Sequence, residues 1–262
     1  MMASLPRAVA FVAGEVGRLS TLTSESVTHK AAPAERNFLP GPILLLGAPG
    51  VGKGTQAQLL VAKYSIPQIS TGDLLRGNIA SGTELGKQAQ EIMSKGQLVD
   101  DGLVNQMVLH RLQEKDTCRG YILDGYPRTL EQAKFLDANL DDCALTLNLP
   151  VVAVSIVVAY DQLLKRITGR RICPNCKSIF NIYSNPPSAE GRCNLDGSHL
   201  IQRPDDTEEV FTERMATFDK LTAPVVAHYR DLGRFREVNG DQPVESVTTA
   251  IDAALRELRA GK

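Results

Sequence analysis

The chain has 262 residues, 43% of them hydrophobic and 23% charged, a composition that excludes a disordered, collagenous or fibrous protein and suits one large domain or one core with attached subdomains. Its 29 basic and 30 acidic residues leave a formal charge of −1, so no overall field draws it to nucleic acid or to an anionic membrane, and any anion site must be a local cluster. The longest apolar run, near residues 151–159, has the length of a buried strand, well short of the roughly 20 apolar residues that cross a bilayer.

Residues 1–41 are rich in Ala, Ser, Thr and Pro and show no sustained helical or strand period. A transit peptide would be basic and poor in acids, yet Arg7, Arg18, Lys30 and Arg36 alternate with Glu15, Glu25 and Glu35. The segment therefore reads as a loosely ordered tail on a cytoplasmic protein, with the core over residues 42–262.

The first strand signal is Ile43-Leu44-Leu45-Leu46, which opens directly into Gly47-Ala48-Pro49-Gly50-Val51-Gly52-Lys53-Gly54-Thr55 and then a helical pattern to Tyr64. Strand, glycine loop and helix are the context a phosphate cradle requires. The glycines let successive N–H groups face phosphate oxygens, the helix N-terminus adds positive charge, and Lys53 reaches the β and γ phosphates. The hydroxyl normally next to the lysine is replaced by Gly54, with Thr55 one place later. Further strand runs at 66–69, 121–123, 151–158 and 235–238 alternate with helical segments, which predicts a parallel sheet covered on both faces. Ligands of such sheets bind at the carboxyl ends of the strands.

Two strand ends carry chemistry. Ser70-Thr71-Gly72-Asp73-Leu74-Leu75-Arg76 offers a helix cap and an arginine suited to a phosphate. Asp124-Gly125-Tyr126-Pro127-Arg128-Thr129 places a carboxylate able to hold hydrated Mg²⁺ close to a guanidinium.

Five cysteines are too few for a disulfide scaffold in a chain of this size, and three fall within 21 positions. Cys173 and Cys176, then Cys193 with Asp196 after sixteen intervening residues, give the paired spacing of a tetrahedral zinc knuckle with a closed, structural shell. The fourth ligand is either Asp196 or His199, three residues further on. Cys118 and Cys143 read as core residues.

The runs at 47–55, 70–76 and 123–129, together with Gly169-Arg170-Arg171 and Arg203-Pro204-Asp205-Asp206, resemble the signature segments of adenylate kinases in order and spacing. The resemblance covers about residues 42–258 and includes the Gly54-Thr55 pattern. It implies a P-loop kinase core with a five-stranded parallel sheet flanked by helices, a helical nucleoside-monophosphate insert over 70–99 and a small zinc-bearing β lid over 169–206. It also implies Mg²⁺-dependent conversion of ATP and AMP to two ADP by a monomer.

By the same resemblance, Gly50, Val51, Gly52, Lys53, Gly54 and Thr55 hold ATP phosphates, with Arg170, Ile179, Phe180 and Gln242 completing that site. Thr71, Arg76, Gln97, Leu98, Val99, Gly125, Tyr126, Pro127, Arg128 and Gln132 hold AMP, Gln132 reading the adenine edge. Arg203 and Arg214 arrive from the other side, Asp205 and Asp206 pair with arginines on closure, and Asp196 is the favoured zinc ligand. Gln242 stands where a lysine is common. ATP and AMP bring about six negative charges, matched by Lys53, Arg76, Arg128, Arg170, Arg203 and Arg214. Lys53, Arg128, Arg170, Arg203 and Arg214, with Asp124, are the expected catalytic set, and neither a general-base histidine nor a covalent nucleophile is required.

Overall fold

The computed structural model describes residues 38–140 and 149–260. What was expected of residues 1–37 and of Cys143 lies outside them. Strands β1 (Gly41–Leu46), β2 (Gln68–Ser70), β3 (Gly120–Asp124), β4 (Val152–Val157) and β7 (Phe235–Asn239) form one sheet in the order β2-β3-β1-β4-β7, every pair parallel. β5 (Arg170–Ile172) and β6 (Ile179–Asn181) make a separate antiparallel pair.

Both faces of the large sheet are buried, which explains why β1 reads as an unbroken apolar run. Ile43 and Leu45 face one core with Ala57, Leu60, Ile251 and Leu255, while Leu44 and Leu46 face another with Val108, Leu136 and Tyr229. The covering helices follow their sequence signals. α1 (Lys53–Tyr64) buries Gln56, Ala57, Leu60 and Tyr64 at helical spacing. α2 (Thr71–Ala80) is capped by Ser70, whose hydroxyl accepts from the Asp73 N–H at 3.2 Å. α3 (Glu84–Ser94) and α4 (Asp101–Leu112) are capped likewise by Thr83 and Asp100.

The rest of the chain adds α5 (Leu130–Leu140), α6 (Tyr160–Thr168), α7 (Glu208–Thr217), α8 (Ala223–Asp231) and α9 (Val244–Ala260). A single π-helical turn, Phe218–Thr222, joins α7 to α8. Such turns are rare and concentrate at functional sites.

The core starts earlier than composition suggested. Phe38 packs against the first core, 4.6 Å beneath the Arg256 guanidinium, and Gly41 already pairs with Gly120. A clasp from the far end of the chain explains why. Arg259 on α9 donates to the carbonyls of Pro40 (2.8 Å), Pro150 (2.6 Å) and Pro42 (3.0 Å), holding the amino ends of β1 and β4 together. Arg259→Ala leaves three strand-end carbonyls without this donor. The expected cost is about 2–3 kcal/mol, seen as a fall in melting temperature of about 5–10 °C by calorimetry.

Cys118 corrects the sequence reading. It is exposed, because it follows the short 3₁₀ turn Lys115–Thr117 on the surface between α4 and β3. Among the described residues no helix is long and apolar enough to cross a membrane.

Candidate active site

Every strand of the large sheet runs the same way, so the residues after Leu46, Ser70, Asp124, Val157 and Asn239 collect along one edge. After β1 the loop turns through Gly47, Gly50 and Gly52, with φ of 131°, 89° and 102°. These left-handed values suit only glycine and turn successive N–H groups inward. Lys53 lies in this cradle, its ammonium donating to the carbonyls of Gly47 (2.8 Å) and Ala48 (3.1 Å). Burial is the main reason its pKa falls to about 8; Arg128, Arg214 and Arg170 push the same way, and Asp124 opposes them.

Gly54 answers the question raised by the missing hydroxyl. A Cβ there would lie 3.4 Å from the Ile179 Cδ1 and 3.9 Å from the Asp124 Oδ2. The small sheet thus rests over the first turn of α1, and the Gln58 amide reinforces the contact by donating to the Lys177 carbonyl at 3.2 Å. Ile179 meets this surface, whereas Phe180, next along the pleat, packs inward with Cys173 and Cys193.

On the other side of β1, Thr71 and Arg128 converge on one carbonyl. The Thr71 hydroxyl and the Arg128 Nε each donate to Gly125 O at 2.8 Å. Gly125 has φ of 77°, and a Cβ there would lie 2.8 Å from an Arg128 nitrogen. The Arg128 carbonyl in turn accepts from Thr222, in the π-turn, at 2.9 Å. Burial draws the Arg128 pKa down to about 10, helped by Arg214, which leaves it charged at neutral pH. Tyr126, Val99 and Gln132 are buried beside it; Leu98 is half-buried and Gln97 exposed.

The remaining arginines meet carboxylates. Arg170 forms a fork with Asp206, whose side chain is fully buried, with Nε to Oδ2 at 2.8 Å. Arg214 donates to Asp205 at 3.0 Å. Arg203 lies 3.6 Å from Asp73, which also takes Arg76 at 2.5 Å. Burial drives the Arg203 pKa to about 10, with Arg170 and Arg76 adding to the effect. Although burial opposes it, Arg76 and Arg203 hold the Asp73 carboxyl below its usual range. Six cations thus surround four acids, Asp73, Asp124, Asp205 and Asp206, leaving a cleft biased toward anions.

Three participants had no local signal in the sequence. Arg166 on α6 reaches the carbonyls of Val51 (3.4 Å) and Gly240 (3.1 Å), bridging the phosphate loop and the turn after β7 that carries exposed Gln242. Gln68 donates to the Asp124 Oδ2 at 2.9 Å. Asp101 accepts from Gln132 at 2.7 Å.

The arrangement and the comparisons agree. The adenylate kinase family profile matches residues 45–234. The chain belongs to the adenylate kinase family. It is 44% identical over 215 residues to an adenylate kinase of Thermodesulfovibrio yellowstonii, covering 82% of this chain and 99% of that protein. It is equally similar, over 219 residues, to an adenylate kinase of Archaeoglobus fulgidus, covering 83% and 99%. A third, from Desulforamulus reducens, is 44% identical over 214 residues, covering 82% and 99%. The fold is the one expected of that family, including the five-stranded parallel core.

Beyond the cleft, the small sheet carries a cluster of metal-binding groups. One ligand atom from each of Cys173, Cys176, Cys193 and Asp196 lies within 4.8 Å of all the others. Cys176 and Cys193 sulfurs are 3.5 Å apart and Cys173 lies 3.4 Å from Asp196, close to the roughly 3.8 Å edge of a tetrahedron with 2.3 Å metal–sulfur bonds. The donor set therefore fits zinc. His199 stands outside the cluster, exposed and paired through its backbone with Arg192. For the hydrated Mg²⁺ expected with nucleotide, the Asp124 carboxylate, facing the start of α1, is a suitable anchor.

Proposed function

We propose that the chain catalyses reversible phosphoryl transfer, ATP + AMP ⇌ 2 ADP, at the edge where the phosphate loop and the five arginines converge. The observation that supports this reading is the convergence of the glycine loop and Lys53 with Arg128, Arg170 and Arg214 at one edge of the parallel sheet. The loop from Gly50 to Thr55 and Lys53 hold the donor phosphates, with Arg170 and backbone around Ile179, Phe180 and Gln242 closing over the nucleotide. Thr71, Arg76 and Arg128 hold the acceptor phosphate, and the 97–99 segment and Gln132 enclose its base.

The chemistry is positioning and charge stabilisation. Phosphoryl transfer spreads negative charge over equatorial oxygens, and fixed cations in a buried site stabilise that charge without reorganising. Arg128, Arg170, Arg203 and Arg214 surround the line between donor and acceptor, so transfer proceeds directly. Asp124 would hold the Mg²⁺ that accompanies the donor nucleotide, and the ion would supply further charge neutralisation at the donor phosphates. Asp73, Asp205 and Asp206 hold the arginines in place until substrate phosphates compete for them. Residues 70–99 and 169–206 act as moving parts that exclude water on closing, and zinc stiffens the second.

A coupled assay across nucleotide pairs tests the assignment. ADP formation is expected to be fastest with AMP as acceptor, and faster turnover with UMP or GMP would overturn it. The depressed Lys53 pKa adds a second expectation. Phosphate binding needs the ammonium, so ATP affinity should be constant below pH 8 and fall as pH rises beyond it, by about tenfold at pH 9. Calorimetric titration of a non-hydrolysable ATP analogue at pH 7 and 9 measures this, with Lys53→Arg expected to flatten the profile.

A further inference from the structure

The AMP side of the cleft contains a closed polar ring that the family reading leaves without a purpose. Gln132 on α5 is buried, with 2% of its surface exposed, and both ends of its amide are engaged. Its Nε2 donates to the Asp101 Oδ1 at 2.7 Å, and its Oε1 accepts from the Arg128 backbone N–H at 2.7 Å. The other Asp101 oxygen accepts from the Thr129 hydroxyl at 2.6 Å, and that hydroxyl accepts from the Gln132 N–H at 3.1 Å. Asp101 is the first residue of α4 and is fixed by the cap at Asp100.

The chemistry of these partners permits one orientation of the amide. A carboxylate only accepts and a backbone N–H only donates. Rotating the amide by half a turn would set its oxygen against the Asp101 oxygen and its NH₂ against the Arg128 N–H. So little of the side chain reaches solvent that water cannot replace either lost bond.

After these contacts the amide keeps one N–H and one oxygen lone pair, in fixed positions. An adenine edge offers an acceptor at N1 and a donor at the exocyclic N6, which match that residue of donor and acceptor. A hypoxanthine or guanine edge offers the reverse, a carbonyl acceptor at O6 and a donor at N1, and would be matched only by the rotated amide. We propose that Asp101 is a specificity-determining positioning residue, which selects 6-amino over 6-oxo purine monophosphates by fixing the orientation of the Gln132 amide. The proposal rests on the reading of Gln132 as the group that meets the acceptor base.

The test compares AMP with IMP as acceptors at saturating ATP for wild type, Asp101→Ala, Asp101→Asn and Gln132→Ala. Losing the charged acceptor removes one of two restraints on the amide, so the AMP-to-IMP ratio of kcat/KM should fall about 10-fold or more in Asp101→Ala. The change should appear mainly in the acceptor KM values. Asp101→Asn, nearly isosteric, should lower the ratio by less. Damage to the fold would depress both acceptors together and leave the ratio unchanged, which overturns the proposal. A ratio lost in Gln132→Ala but kept in both Asp101 variants also overturns it, with the adenine reading intact. A ratio kept in Gln132→Ala overturns that reading and the proposal with it.

Discussion

Arg128→Ala is expected to lower kcat for ADP formation by about 10³-fold or more, the scale of losing a cation that stabilises phosphoryl transfer. Arg128 lies inside the cleft, with Arg214 and Arg76 as neighbours and Asp124 offsetting part of their repulsion. Its Nε is committed to Gly125 O, which leaves the NH₂ groups for phosphate. In the proposed role the charge serves both the reaction and the acceptor, so AMP affinity should fall as well, while affinity for an ATP analogue should change little. Arg128→Lys restores charge without the planar fork and should recover only part of the rate. The measurement is a coupled assay with calorimetric binding of each nucleotide alongside, and ADP formation at the wild-type rate in Arg128→Ala would sink the site assignment.

Removing the metal site should have the second large effect. The purified protein is expected to carry close to one zinc per chain, and Cys173→Ser to carry almost none. A chelator should lower the melting temperature, because the buried apolar cluster of this segment is small, Cys173, Phe180 and Cys193 with Leu200 against them and Ile172 buried nearby. Activity should fall with it, since Arg170 and Arg203 are held by this segment. Asp196→Ala should lose metal and His199→Ala should keep it, both read by metal analysis. Retention of zinc by Asp196→Ala with loss from His199→Ala would reverse the ligand assignment.

How much of this was legible in the sequence follows from how local each signal is. The phosphate loop, the capped start of α2 and the 124–129 segment are runs of adjacent residues whose meaning depends on the strand or helix beside them, so they could be read without a fold. The paired cysteines were similarly plain, because two close pairs fix a metal spacing. The Asp101–Gln132 contact spans 31 positions and that of Arg166 with Val51 spans 115. Each residue alone looks like an ordinary polar position on a helix, and only the packing of α4 on α5, or α6 on the loop, gives it a partner. Cys118 failed in the opposite way. Cysteine is commonly buried, but exposure is decided by where the chain turns, and here it turns at the surface.

The clasp of Arg259 on Pro40 and Pro42 has a consequence for how the chain is made. The first strand of the sheet occupies its centre, yet its neighbours β3 and β4 come about 80 and 110 residues later, and its final fastening lies 217 residues downstream. At roughly 5–20 residues per second of synthesis, Pro42 waits on the order of 10–40 s for Arg259. Throughout that interval Ile43, Leu44, Leu45 and Leu46, all buried at the end, have only part of their covering. The nascent protein should therefore present this strand to chaperones until α9 has been made, and release of a chain lacking α9 should yield aggregates in place of a smaller kinase.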